Sequence, residues 1–321
     1  MFMGSLRSQL LLAFLLRLSP FPQQSTEASQ APAVPQPTAA QSSVASESGN
    51  PPQAKDQKKE SKPGLLSWDP PNVDAHLRSK SAALECPLST VLQQAGTRTS
   101  EFVTNLQNFT AEERIEYRSL GNAYALDSDV GSFDYIAAFD RSKKGYIVQE
   151  NRTPKKGSHT FPAATQDVGL PEMALIFLPN FQNIYEMNCE GTTEWKGQTA
   201  WVVRFHQHSD RPNHLVSFAG YPAMLKGRAW IAHDSGELVH LELGLMRGIP
   251  ELKVNDWFLS IDYAPVRFRT QDVQVWLPES VTSYEDLAVR RTIISHTFSN
   301  FLLFSVQTDE VIGPLPKKSP I

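Results

Sequence analysis

The residues of this chain best equipped for chemistry are five histidines, His206, His208, His214, His233 and His240. An H-x-H pair on a strand aims both imidazoles at one face, where a converging third ligand would complete a zinc site. Arg204 falls on the same alternate position as His206 and His208. A cation beside two would-be ligands marks that face as a solvated polar side, so no metal is assigned. Asp127-x-Asp129-x-Gly131-x-x-Asp134 begins like a calcium loop, yet its twelfth position is Ala138 rather than a bidentate carboxylate. It reads instead as an acidic connection between strands. Glu112-Glu113 and Glu150 could act as an acid/base pair only if folding brought them together. Ser235 sits in a turn without a G-x-S-x-G context, and no G-x-x-x-x-G-K-S/T loop is present. These residues point to no cofactor and no enzyme, with a hydrolase or metal-dependent activity as the least favoured alternative.

The net charge of −4 over 321 residues gives no electrostatic footprint for nucleic acid. Arg7 followed by the apolar run Leu10–Leu16 is too short to span a bilayer, which takes ~20 residues, and fits a secretory signal over residues 1–22. The expected location is therefore periplasmic or secreted, with no integral membrane segment in the mature chain. Residues 23–83, rich in Pro, Ala, Ser and Gln and then charged, bury too little apolar surface to offset chain entropy and are expected to be disordered, as is the tail 313–321. One β-rich domain over 84–312 remains. Its two cysteines, Cys86 and Cys189, form an even pair in a chain read as exported, and are expected to be a disulfide.

The elements that must position everything else follow from periodicity. Pro87 precedes a run in which Leu88, Val91, Leu92, Ala95, Thr99, Phe102, Val103 and Leu106 share one helical face, with Gly96 weakening its middle. Nine or ten strands follow, over Ala111–Ser119, Phe133–Phe139, Gly145–Arg152, Ile184–Cys189, Gln198–His206, Gly227–Ala232, Glu237–Leu245, Trp257–Phe268, Val273–Leu277 and Arg291–Val306. Short connections and the absence of βαβ alternation make the sheet antiparallel. The apolar segment Leu170–Leu178 interrupts the series and reads as a lid, with Met173, Ile176 and Phe177 as its contacts. Val239, Leu241, Leu243 and Leu245 share one face, as do Trp257, Leu259, Ile261 and Tyr263. The fold class is α+β: a curved antiparallel sheet forming an incomplete β-barrel, covered by the N-terminal amphipathic helix and a short inserted helix.

The hairpin Lys226–Leu243, with Gly227-x-x-Trp230-x-x-x-Asp234-x-x-Gly236 at its centre, resembles the LolA/LolB-like superfamily of bacterial outer-membrane lipoprotein-sorting proteins. The resemblance spans about residues 84–306. It implies non-enzymatic binding or carriage of an apolar ligand, a lipid or lipidated protein, in the bacterial cell envelope. The family's strand-borne arginine flanked by aromatics has no match in Ile147–Arg152. Trp201, Phe205, Trp230, Leu241, Leu243, Trp257, Ile261 and Tyr263 are the candidate ligand contacts. The alternative is a secreted interaction module whose core is filled.

Overall fold

Every strand of the main sheet is antiparallel to its neighbours, and its order explains how the first and last thirds of the domain meet. The computed structural model describes residues 68–75, 86–105, 108–121, 126–142, 145–158, 171–212, 215–268 and 273–304. All lie in one of the two units into which the chain divides, Lys62–Ile321. The signal segment, most of the 23–83 stretch, His214, Leu170 and the 313–321 tail lie outside the described residues.

Helix α1 (Leu88–Asn105) begins just after Pro87, whose carbonyl accepts from Val91 N–H (3.0 Å). Val91, Ala95, Thr99 and Phe102 are its buried stripe. Strands β1 (Asn108–Gly121), β2 (Leu126–Ser142) and β3 (Gly145–Pro154) follow as a meander. A 3-10 segment, Pro171–Phe177, and the one-turn helix α2 (Pro179–Gln182) come next. Then come β4 (Tyr185–Trp195), β5 (Gln198–Gln207), a small hairpin β6 (Ser217–Phe218) and β7 (Tyr221–Pro222), and β8 (Leu225–Ala232). Strands β9 (Leu238–Leu245), β10 (Val254–Phe268), β11 (Val273–Leu287) and β12 (Arg290–Leu303) end the series. The ten-stranded order is β3-β2-β1-β12-β11-β10-β9-β8-β5-β4. The sheet is open, with β3 and β4 as its edges. In chain order the 3-10 segment falls between the two edge strands, β3 and β4.

Three differences from the sequence reading come from bulges. Trp230 pairs with His240 and Ile231 with Leu238, leaving Val239 unpaired. The extra residue changes the alternation, and Val239 joins Trp230, Ala200, Val202 and Ala232 in a separate cluster instead of lining the core. Strand β11 runs on past Leu277 for ten further residues because Pro278, which cannot donate to a ladder, sits at the register shift opposite Tyr263. In β4, Cys189 pairs with Val203 and Gly191 with Val202, so Glu190 is the bulged residue. Cys189 is therefore inside a strand rather than at its end.

Two segments expected to be irregular are ordered. Residues 127–134 are strand, paired with β1 from Ser119 to Glu112, so the acidic run is not a connection. Asn72–Ala75 forms a turn in which Asn72 Oδ1 and its carbonyl both accept from Ala75 N–H (3.0 and 3.2 Å). Arg228, 1 % exposed, anchors that turn by donating to the carbonyls of Asn72 and Ala75, and its Nε donates to Glu190 (2.6 Å). Asp74 pairs with Lys226 and Arg204. Arg204 thus serves this turn instead of facing open solvent beside His206.

Candidate functional site

The main core cluster occupies the face of the sheet that α1 and the lid cover. Trp201, Phe205, Leu241, Leu243, Trp257, Ile261 and Tyr263 all belong to it, together with Met173, Ile176 and Phe177 of the lid. Trp230 does not. Strand alternation puts it with Arg228 and Lys226 on the opposite face, where it packs against Trp195 (ring centroids 5.3 Å) and His240 (4.7 Å).

Two glycines let these layers approach. A Cβ on Gly227 would lie 2.4 Å from Phe205 Cζ and 2.3 Å from the Glu242 carbonyl, so only glycine leaves room for the Phe205 ring. That ring meets Phe177 of the lid edge-on (6.3 Å) and Tyr185 (5.5 Å). Gly96, which weakens α1 by propensity, lies against the lid. A Cβ there would come within 3.2 Å of the Phe177 carbonyl and 3.0 Å of Gln182 Nε2. Gln182 Nε2 donates to the carbonyls of Leu92 (2.9 Å) and Phe177 (2.7 Å), clamping lid to helix. Cys86 and Cys189 are disulfide-bonded, Cα–Cα 6.3 Å, which ties the start of α1 to the edge strand β4.

The lid buries Pro171, Met173, Ala174, Leu175, Ile176 and Phe177 and leaves only Glu172 less covered. Glu172 Oε1 accepts from Val148 N–H (3.1 Å). Burial pushes its carboxyl up to about 7; the Val148 hydrogen bond opposes the rise and Glu150 adds to it.

The sequence reading missed a buried ionic layer on the inward face of β1, β2, β3 and β12. Arg152, 4 % exposed, donates from Nε to Glu113 Oε2 (2.6 Å) and from Nη2 to Oε1 (3.1 Å). His296 Nδ1 lies 2.7 Å from Glu113 Oε1, and Arg152 Nη1 lies 3.5 Å from Glu150 Oε2. Tyr135 O–H donates to Glu150 (2.7 Å), and the Arg152 guanidinium stands 5.0 Å from the Tyr135 ring centroid. Arg152 is thus a strand-borne arginine against an aromatic ring, although flanking residues in sequence give no sign of it: its partner comes from the neighbouring strand. Burial works against charge on Glu113, but the hydrogen bond from His296 and the charge of Arg152 outweigh it and hold the carboxyl below its ordinary range. Glu113 and Glu150 do come together, as bases already engaged by one arginine rather than as a free acid/base pair. The available signal was Glu113 itself, which shares the period-two face of Ile115 and Tyr117.

The histidines do not converge. His240 is stacked on Trp195 (3.9 Å) and bonded to Asp262 (2.7 Å), His233 is stacked on Trp201 (5.2 Å), and His206 lies among Arg204, Asp74, Glu186 and Lys226. Among the described residues no group of three His, Cys, Asp or Glu side chains is placed to hold a metal ion. None of their helices is long and apolar enough to cross a membrane.

The covered face holds little empty space. The better-formed hollows among the described residues have volumes of about 70 Å³, between α1 and strands β9–β11, and about 10 Å³, between Phe109, Tyr135, Pro171 and Phe298. Sites that enclose a drug-sized ligand span ~300–1,000 Å³.

Comparison with protein-family models finds no match, and comparison with curated proteins finds none. Among solved structures, the chain is similar to a DUF1329 family protein from Desulfovibrio piger (10 % identity, 70 % of this chain and 96 % of that one, TM-score 0.39). It is also similar to a LolA superfamily protein from Nitrosomonas europaea (11 % identity, 70 % and 96 %, TM-score 0.33). A third is the lipoprotein LppX of Mycobacterium tuberculosis (14 % identity, 69 % and 99 %, TM-score 0.25). At these identities and scores the likenesses carry no argument about family or ligand.

Proposed function

We propose that the protein is an exported, non-enzymatic binder of a long acyl chain, free or attached to a protein, which takes the place of the Pro171–Phe177 lid on the covered face of the sheet. The observation that carries the reading is the lid itself. It is a short 3-10 element that falls in chain order between the two edge strands β3 and β4, almost wholly buried, and clamped to α1 through one glutamine. Short 3-10 elements hold together less well than α-helix, so most of its stability comes from burial. Met173, Leu175, Ile176, Phe177 and Leu178 together contribute roughly 10 kcal/mol if each buried side chain gives ~2 kcal/mol. A ligand that displaces them must supply a similar amount, which at ~0.8 kcal/mol per CH₂ takes about 12 methylenes. That magnitude favours a long chain over a small apolar molecule. The disulfide supports an oxidising compartment.

The small hollows favour a second reading, a protein-interaction module whose core is permanently filled and whose edge strands meet a partner. Mass spectrometry of lipid extracted from the protein purified out of its native envelope, together with titration of a hydrophobic dye, separates the two. Stoichiometric acyl lipid and saturable dye binding support carriage. A protein free of lipid that leaves the dye dark supports the module.

A further inference from the structure

The hollow of about 70 Å³ between α1, strands β9–β11 and Ala174 of the lid lies at the margin of the covered face, and its lining mixes charge with aromatic surface. Phe102, Leu238, Tyr263 and Trp276 supply the apolar walls, and Arg98, Glu101 and Glu237 the charge. Tyr263 is 4 % exposed, and its hydroxyl has no hydrogen-bond partner among the described residues. A buried hydroxyl without a partner is destabilising, and a ligand reaching it would recover that cost.

The charges decide what that ligand is. Arg98 is engaged: its Nη1 donates to Glu101 (2.7 Å) and its Nε to the Ser235 carbonyl (2.9 Å). Glu237 lies 3.6 Å from Arg98 Nε, beyond a hydrogen bond. Burial raises the Glu237 carboxyl to about 7, Arg98 offsets this only in part, and Glu101 adds to it. Above that pH two carboxylates share one guanidinium, and the unfilled positions are acceptors, a carboxylate and a phenolic oxygen. An anion would meet the carboxyl groups of Glu101 and Glu237, with two of the five Arg98 N–H donors already committed to Glu101 and the Ser235 carbonyl. A cation with N–H donors meets both acceptors and aromatic walls that favour positive charge.

We propose that this cavity binds a small organic ammonium group, its N–H donors on the Glu237 carboxylate and the Tyr263 hydroxyl oxygen and its alkyl stem against Phe102 and Leu238. The ammonium can belong to a free alkylamine or to the headgroup of an amine-bearing lipid. The cavity is present with the lid in place, Ala174 of the lid forming part of its wall, so an ammonium can bind without an acyl chain displacing the lid. If the ligand is a lipid, both features serve one amphiphile.

The test is calorimetric titration of the full chain with n-butylammonium, butyrate and n-butanol at matched ionic strength, repeated on Glu237→Gln and Tyr263→Phe. Saturable binding is expected for butylammonium alone, weakened ~10-fold or more by Glu237→Gln and ~3-fold by Tyr263→Phe. Butyrate binding as tightly as butylammonium, a butylammonium titration that never saturates, or unchanged affinity in Glu237→Gln would each overturn the assignment. The comparison of the three probes on the unaltered chain holds whether or not the variants fold. Vesicles of phosphatidylglycerol with and without phosphatidylethanolamine then identify the source. Competition with butylammonium only when phosphatidylethanolamine is present assigns a lipid headgroup, and its absence assigns a free amine; both support an ammonium site.

Discussion

Removing Arg152 tests whether the buried ionic layer is what holds β1, β2, β3 and β12 in register at that depth. Arg152→Ala leaves Glu113, fully buried, with His296 as its remaining ion-pair partner, and takes from Glu150 the guanidinium that stands 3.5 Å away. Breaking one partner out of a buried pair costs ~3–5 kcal/mol, because the other charge stays buried without compensation. The lost contact between guanidinium and Tyr135 ring adds up to ~1 kcal/mol. Against a whole-domain stability of ~5–15 kcal/mol this is a large fraction, so Arg152→Ala should unfold at a much lower urea concentration than the wild type. The double variant Glu113→Gln with Arg152→Met neutralises most of the stranded charge and should recover more than half of the loss, giving a coupling of ~2 kcal/mol or more. Because the pair is out of solvent, adding about 1 M salt should change the difference little. A loss under ~1 kcal/mol for Arg152→Ala, or a double variant no better than the single, would mean that water reaches the layer and that it behaves as a surface pair.

The lid and its anchors give further expectations. Gln182→Ala removes both hydrogen bonds that clamp Phe177 and Leu92, and should speed and strengthen binding of a hydrophobic dye several-fold while lowering unfolding stability by only ~1–2 kcal/mol; unchanged dye binding would remove the clamp from the lid's control. Glu172 prefers its neutral form when folded, so between the ordinary carboxylate range and about 7 the native state binds more protons than the unfolded one, and stability falls as pH rises through that window. Glu172→Gln should therefore match the wild type at pH ~5 and exceed it by ~1–3 kcal/mol at pH ~8 in paired urea titrations; Glu237, also raised to about 7, leaves part of the slope in place. The Cys86–Cys189 bridge closes a loop of 103 residues, so reduction should cost ~2–5 kcal/mol, read as a drop in Tm with and without reductant.

Helix α1, the hairpins and the antiparallel order were legible because each is written in local periodicity. Leu88 to Val103 repeat on one helical face, and Gly227–Ala232 and Glu237–Leu245 flank a Gly-containing turn. The core-facing position of Leu241, Leu243, Trp257, Ile261 and Tyr263 was legible for the same reason, since they alternate toward one face. The reading failed where alternation breaks. A single bulge at Val239 changes which face that residue joins. Trp230 is a different case: it keeps the alternation of Arg228 on its own strand, and nothing in its local sequence showed that this face carries an apolar cluster of its own. Pro278 looked like a strand end, although a register shift opposite Tyr263 lets the strand continue through it. The ionic layer was hidden for a different reason. Glu113, Arg152 and His296 come from strands 39 and 144 residues apart in sequence (152 − 113 and 296 − 152), and a charged residue on an inward position reads as exposed until its partner is known. Arg228 was missed likewise, since its partners are the carbonyls of a turn more than 150 residues earlier.

The central claim is that an acyl chain displaces Pro171–Phe177 from the covered face of the sheet. Hydrogen exchange of the full chain, with and without a monopalmitoyl lysolipid held below its micelle concentration, tests it directly. Displacement predicts faster exchange at Leu178 N–H, now bonded to the Leu175 carbonyl, and across Pro171–Phe177, with exchange in β5 and β9 as slow as before or slower. Bound lysolipid with lid amides still protected, or no bound lysolipid at all, would contradict it and leave the lid a fixed part of a filled core.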